Sequence, residues 1–244
     1  MADLNGKAVL VTGGARRLGK AICLALARAG ARVAFTYLAS EEDARKTLQE
    51  IEHAGAKCVA VSCDVRDEIS IQRALHSVLK ELGRLDVLVN NAGFYETVAF
   101  DDLTQEKWDN VFAVNVRGPF LVSKACTATL RQNQGRIIHM GSLGGEKPWA
   151  THAHYCSSKA ALHMLTRTMA KALAPEIAVN CVAPGVIEMK SEGAGAALGG
   201  FVEKTPMRRN GTSADVVSAV MYFATAPHFV TGQILTVDGG LGLN

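Results

Sequence analysis

"AVLVTGGARRLGK", residues 8–20, decides how this chain folds. A short apolar run ends in Thr12-Gly13-Gly14, and a helical pattern follows with Gly19 on its first turn. A run with no polar alternation reads as a strand buried on both faces of a parallel sheet. The glycines permit a tight turn, and the helix N-terminus offers unpaired N–H groups to a phosphate. Two features depart from the usual dinucleotide loop. The glycine spacing is not G-x-G-x-x-G, and Arg16 and Arg17 occupy the middle, where small residues are expected.

The same rhythm recurs along the chain. Apolar, β-branched runs at 8–12, 32–36, 58–63, 86–90, 136–140, 178–182 and 233–237 alternate with helical stripes. Leu18, Ile22 and Leu26 form one stripe, Ala44, Leu48 and Ile51 a second, and Ile71, Leu75, Val78 and Leu82 a third. They stop at Gly30, Gly55 and Gly83, each where a left-handed C′ residue is expected. This βαβαβ order predicts an α/β fold: a doubly wound parallel sheet of about seven strands with helices on both faces. With no linker or repeat, residues 1–244 read as one domain. "SEGAGAALGG" at 191–200 marks a flexible substrate loop around 186–205. Residues 108–130 read as one long helix with Pro119 inside it. That proline would leave the Asn115 carbonyl without its partner four residues on; either a water takes its place or the proline is a plain kink that serves packing.

The composition, 48% hydrophobic and 20% charged, fits one large domain with an ample core. A net charge of +3 without a Lys/Arg run argues against nucleic acid as a partner. No apolar stretch reaches the roughly 18 residues of a membrane span. "MADLNGKAVLV" has no signal-peptide pattern, so a soluble, cytoplasmic protein is expected. The six cysteines (23, 58, 63, 126, 156 and 181) form no CxxC pair and read as reduced thiols, mostly in the core. Glu188, Glu192 and Glu203 lack the spacing of a metal site.

NAD-binding chains commonly carry an acid about 20 residues beyond the loop, to bind the ribose 2′-hydroxyl. Here Thr36-Tyr37-Leu38-Ala39-Ser40 offers no carboxylate before Glu41. A 2′-phosphate is therefore admissible beside Tyr37 and Ser40. Arg16 and Arg17 become its charge-assisted clamp, with Arg16 the first expected contact. Further on, Tyr155 and Lys159 stand four apart on a helical segment, so they share one face. An ammonium beside a phenol favours the phenolate, and the pair reads as a proton donor and its tuner.

These motifs together resemble the short-chain dehydrogenase/reductase family from end to end. They are Thr12-Gly13…Gly19, Asp64-Val65, Asn90-Asn91-Ala92-Gly93, Asn115 in "AVNVRG", Ser142, Tyr155-x-x-x-Lys159, and Asn180 with Pro184-Gly185. The resemblance implies a Rossmann fold, NADP(H) given the arginines, and hydride transfer between a carbonyl and an alcohol. It implies Tyr155 as general acid–base and Lys159 as its pKa-lowering partner that also binds the nicotinamide ribose. Ser142 would hold the substrate oxygen, and Asn115 a relay water. Gly13, Leu18 and Gly19 would shape the phosphate loop. Asp64 and Val65 would hold the adenine, Asn91-Ala92-Gly93 the ribose, and Ile187 after Pro184-Gly185 the carboxamide. Arg17-Leu18-Gly19 looks like the pteridine reductase branch, which has an aspartate where Ser142 stands. Much of the chain is similar to 3-oxoacyl-[acyl carrier protein] reductases. Lys171 keeps one of their carrier-docking cations, while Asn133 replaces the other, with Arg131 nearby. Met189 stands where a threonine often touches the nicotinamide. Trp149, His152 and His154, ahead of Tyr155, read equally as pocket lining or as surface and packing groups, outside the catalytic set. A small carbonyl substrate and a homotetramer are expected, the helices around 108–131 and 155–173 pairing between copies. A pteridine reductase-like enzyme and a non-catalytic dinucleotide-binding regulator are the alternatives; the retained Asn115, Ser142, Tyr155 and Lys159 speak against the regulator.

Overall fold

The computed structural model describes residues 3–188 and 200–243. Seven parallel strands form one sheet: β1 (Ala8–Val11), β2 (Arg32–Tyr37), β3 (Cys58–Ser62), β4 (Val87–Asn90), β5 (Arg136–Met140), β6 (Ala178–Pro184) and, at one edge, β9 (Ile234–Val237). Their spatial order is β3-β2-β1-β4-β5-β6-β9. The chain winds outward from β1 to β3, then crosses back to lay β4 against the other side of β1. The strand order thus reverses between β1 and β4, where open α/β sheets bind their ligands.

Strand alternation divides the core into two layers. Val9, Val11, Val33, Phe35, Val87, Val89 and Ile138 pack on one face with helix α1 (Arg17–Arg28) and α2 (Glu41–His53). Ala8, Leu10, Ala34, Leu88, Ile137 and Val179 pack on the other, with α3 (Glu68–Leu82). This explains why the inner runs are apolar throughout: β1 and β4 are covered on both faces, while the edge strands β3 and β9 are only partly buried. The three stripe-ending glycines have left-handed backbones, with φ of 90° at Gly30, 84° at Gly55 and 73° at Gly83. Asp67 caps α3 by accepting from the amides of Ile69 and Ser70. Asp86 ties β4 to β1: its carboxylate accepts from the Ala8 amide at 2.9 Å, Lys7 Nζ at 3.2 Å, and Arg84 Nε and Nη2 at 2.8 and 2.6 Å.

Residues 108–130 do not form the single helix expected. Helix α4 (Gln105–Phe112) passes into a π turn over Ala113–Arg117, and α5 (Gly118–Gln132) follows. The Gly118 N–H reaches the Ala113 carbonyl, five residues back instead of four. The break therefore begins before Pro119, which sits in the first turn of α5, where a missing N–H costs little. Helix α6 (Ala153–Leu173) packs on β6 and on α4. A second parallel pair, β7 (Ile187–Glu188) with β8 (Gly211–Thr212), precedes α7 (Ser213–Thr225), which opens with a reciprocal Thr212–Asp215 capping box. Met189, Glu192 and most of the expected substrate loop lie outside the described residues. No described helix is long and apolar enough to cross a membrane. Five of the six cysteines are buried as free thiols, and Cys156 is half-buried.

Candidate active site

The described residues expected to bind the cofactor or to catalyse lie at or just beyond the C-terminal ends of the strands, or on helices packed there. The turn after β1 is held open by specific bonds. Thr12 Oγ1 accepts from the amides of Asn91 and Ala92, both at 3.0 Å. Asn91 Nδ2 returns two bonds, to the carbonyls of Thr12 at 2.9 Å and Gly13 at 3.0 Å. Gly13 has φ of 66°, and a Cβ there would press on Ala92. A Cβ on Gly19 would collide with the Gly13 carbonyl oxygen. Only glycine allows this close approach of turn and helix.

Above the turn lies a cleft of about 540 Å³, lined by Gly13, Arg16, Arg17, Leu18, Gly19, Tyr37, Ser40, Asp64, Val65, Asn91, Ala92 and Gly93. Arg16 precedes the first turn of α1 and Arg17 begins it with φ of 51°, a left-handed conformation unusual for a side chain. Ser40 stands at the N-terminus of α2. The carboxylates of that first turn, Glu41, Glu42 and Asp43, are not part of the cleft wall. The glycine turn, the N-terminus of α1 and two arginines in the cleft wall are groups suited to a dinucleotide. The structure adds a residue that the sequence reading missed. Arg66 grips Asp64 with Nε at 3.0 and 3.1 Å and Nη2 at 2.7 Å, and its Nη1 donates to Asn110 Oδ1 at 3.1 Å. This grip holds the Asp64 carboxyl below its usual range, with Arg66 as the main cause.

A second cavity of about 760 Å³ shares Leu18, Asn91 and Gly93 with the first and reaches Ser142, Tyr155, Lys159, Pro184, Gly185 and Ile187. Ser142 follows β5, and its Oγ accepts from the Gly144 amide at 3.1 Å. Tyr155 lies on the first turn of α6, with its phenol hydrogen-bonded to Ser142. Lys159, one turn on, is buried and donates to the Met140 carbonyl at 2.8 Å. Asn115 enters from the π turn. Its Oδ1 accepts from the Phe94 amide at 2.8 Å, and its Nδ2 donates to the Phe94 carbonyl at 2.9 Å and to Ser158 Oγ at 3.1 Å. Ser158 Oγ in turn donates to the Tyr155 carbonyl at 2.7 Å. The Asn115 side chain thus joins the β4–α4 loop to α6.

One electrostatic expectation is corrected. Burial pushes the Tyr155 phenol up to about 12, against which the Ser142 hydrogen bond pulls only partly. Lys159 Nζ lies over the ring, 5.7 Å from its centroid, and donates to the Met140 carbonyl. Burial pulls Lys159 itself down to about 8. Beneath it, burial together with the Lys159 charge pulls His139 down to about 3 and His163 down to about 4, so both rings are neutral. Among the pocket residues left outside the catalytic set, Trp149 and His152 do line the cavity, as do Phe94, Tyr95 and Phe201, which the sequence reading did not single out. His154 is fully buried, 3.9 Å from Glu96.

A phenol, a hydroxyl and a buried ammonium, gathered at the switch point beside a dinucleotide-sized cleft, define an oxidoreductase built on a nucleotide-binding fold. The comparisons agree. The family model described as Enoyl-(Acyl carrier protein) reductase matches residues 13–242. An uncharacterized oxidoreductase of Methylorubrum extorquens is 34% identical over 99% of this chain and 100% of its own. The 3-oxoacyl-[acyl-carrier-protein] reductase FabG of Staphylococcus epidermidis is 33% identical over 96% of this chain and 98% of its own. Among solved structures, a short-chain dehydrogenase/reductase from Serratia marcescens superposes with a TM-score of 0.93 at 36% identity, covering 98% of this chain and 99% of that one. A dehydrogenase/reductase from Sinorhizobium meliloti gives 0.92 at 38% identity, covering 98% and 96%. The chain belongs to the short-chain dehydrogenase/reductase family and resembles its 3-oxoacyl-[acyl carrier protein] reductases. That membership implies a nicotinamide dinucleotide.

Proposed function

We propose that the protein is an NADPH-dependent reductase that converts a small ketone or 3-oxoacyl group to an alcohol in the cytoplasm. The observation that carries this reading is the meeting of the Tyr155 and Ser142 hydroxyls in the larger cavity, above buried Lys159. The nicotinamide supplies the hydride; the chain's own residues orient the carbonyl and manage the proton. Ser142 donates to the substrate oxygen, and Tyr155 gives its proton to the developing alkoxide. A phenol near 12 is fully protonated at neutral pH, which suits the acid role in reduction better than the base role in oxidation. Lys159 binds the nicotinamide ribose, and Asn115 holds the loop and the helix between which the proton is relayed.

Gly13, Leu18 and Gly19 cradle the pyrophosphate, Asp64 and Val65 receive the adenine, and Asn91, Ala92 and Gly93 the ribose. Pro184, Gly185 and Ile187 meet the carboxamide. NADPH over NADH is supported by Arg16 and Arg17 at the cleft end that Tyr37 and Ser40 close without an acid. Docking of an acyl carrier protein has less support. Asn133 spends its amide on the Thr129 and Leu85 carbonyls, at 2.8 and 3.2 Å. Lys171 stands about 24 Å along α6 from Tyr155 at the usual rise. Exposed apolar residues on α4–α6, among them Trp108, Phe120 and Met164, support a homotetramer.

The reading is tested by NADPH oxidation against ketones, acyl thioesters, quinones and pterins, with Tyr155→Phe beside the unmodified enzyme. Turnover should fall at least a thousandfold in the variant while NADPH affinity holds, because only the proton donor is lost. A variant that keeps most of its activity would transfer the acid role elsewhere.

A further inference from the structure

The walls of the larger cavity are aromatic, and their arrangement is not accidental to the chemistry at its floor. Tyr95 stacks on His152 with centroids 4.9 Å apart and planes 29° from parallel. It meets Tyr155 edge-on, 4.9 Å away at 85°. Trp149 faces Tyr155 nearly parallel, 6.2 Å away at 12°, and closes on His152 edge-on at 5.6 Å. Two segments build this corner. The loop after β4 runs against the loop before α6, joined by the Val98 amide to the Thr151 carbonyl at 2.9 Å. Tyr95 remains 57% exposed despite its two ring neighbours, so the corner keeps an open apolar face.

The polarity of the wall limits what covers that face. His152 has both ring nitrogens engaged, Nε2 with Thr97 Oγ1 and Nδ1 with Thr151 Oγ1, each at 3.0 Å. Burial and neighbouring His154 lower its pKa, which keeps it neutral at neutral pH. No described residue lining the cavity is a carboxylate or an arginine, and its lone ammonium, Lys159, is buried at the floor. Among these described residues a charged substrate tail finds no exposed counter-ion. A flat ring finds a parallel wall on one side and a perpendicular one on the other, the two geometries in which aromatic groups gain beyond simple burial.

Resting on the carbonyl-reductase reading, we infer that the preferred substrate is an uncharged ketone conjugated to an aromatic ring, held in the corner of Tyr95 and Trp149. The carbonyl then meets Ser142 and Tyr155 while the ring lies against the aromatic walls.

Acetophenone and 2-octanone, both neutral eight-carbon ketones, provide the test with NADPH. The aryl ketone should have a kcat/KM at least tenfold higher. Tyr95→Leu and Trp149→Leu should each shrink that ratio by about 3- to 10-fold, mostly through KM, the scale of an aromatic pair. Tyr95→Phe and Trp149→Phe should keep it, which loss of fold or of general packing would not explain. Equal or better use of 2-octanone, or leucine variants that leave the ratio unchanged, overturns the inference while leaving the reductase reading in place. Should neither ketone be turned over, calorimetry with 1-phenylethanol and 2-octanol decides the pocket's preference. Tighter binding of the aryl alcohol sustains it and equal binding overturns it. Absence of NADPH oxidation across the whole carbonyl panel counts against the reductase reading alone.

Discussion

Arg16 and Arg17 show what one residue decides. Arg17 holds φ of 51°, a left-handed backbone that costs roughly 1–2 kcal/mol in a residue other than glycine. A side chain kept there at that cost fits a role in holding charge at the mouth of the cleft. Arg16→Ala should weaken NADPH binding by about 1.5–3 kcal/mol, the scale of a charged hydrogen bond, and leave NADH almost untouched. Titration of the variant with both cofactors checks this; an equal loss for each would remove the phosphate from the argument. At this scale much was legible. Tyr155, Lys159 and the loop glycines announce themselves by spacing along one or two elements, while Ser142 is reached only through the family resemblance. The grip of Arg66 on Asp64 was not, because its geometry needs Asn110, 44 residues away, to hold the guanidinium in place. The aromatic corner was hidden for the same reason: Tyr95 and His152 meet only after two loops pair.

The π turn carries the lesson for elements. Apolar positions from Trp108 to Leu130 kept an apparently continuous helical period, so one helix was expected. An extra residue in a single turn rotates everything after it without disturbing the pattern within either half. Here α4 packs on α6, while α5 packs on α3 and β4. The slip lets one stretch of chain serve two neighbours, and it turns Asn115 inward between them. Strands and helix ends were legible because burial and capping act locally; the phase of one helix against another is set by tertiary contacts. Asn115→Ala should then act on two elements at once. Loss of its bonds to Phe94 and Ser158 should cost about 2–3 kcal/mol in urea unfolding, the sum of a few partly buried hydrogen bonds. Turnover should fall further than stability predicts, since the loop and α6 come apart beside Tyr155. Asn115→Asp, which keeps the acceptor for the Phe94 amide, should recover part of the stability. A fully stable alanine variant would mean the side chain serves chemistry alone.

For the whole molecule, unpaired apolar surface is the feature to explain. Phe120 on α5 and Met164 on α6 are 44% and 58% exposed. At one edge of the sheet β9 has no strand beyond it among the described residues, and Phe229 is almost wholly exposed. Two such faces on one chain match the two kinds of contact that a tetramer with dihedral symmetry requires. Sedimentation should give a mass four times that of one chain, and Phe120→Glu with Met164→Glu should reduce it to half or less. A monomeric unmodified protein would leave these residues without that purpose.

The two histidines beneath Lys159 set a limit at low pH. Each is neutral when folded, near 3 for His139 and 4 for His163, and takes up a proton near 6.5 once the chain opens. Folding therefore excludes two protons that the unfolded chain binds. Lys159 and Arg167 oppose the charge on His163, and exposed Glu146, 3.9 Å away, is its acidic neighbour among the described residues. Stability is undiminished above about 6.5 and falls with each unit below it, by about 1.4 kcal/mol per ring, until the folded values are reached. At pH 5 the loss is about 4 kcal/mol, a large share of a typical domain's reserve. The urea midpoint should drop steeply between pH 7 and 5, and His163→Gln should halve that slope; a flat profile would refute the account. The protein thus carries an acid fuse in its foundations: the same dry floor that seats buried Lys159 confines the fold to neutral surroundings.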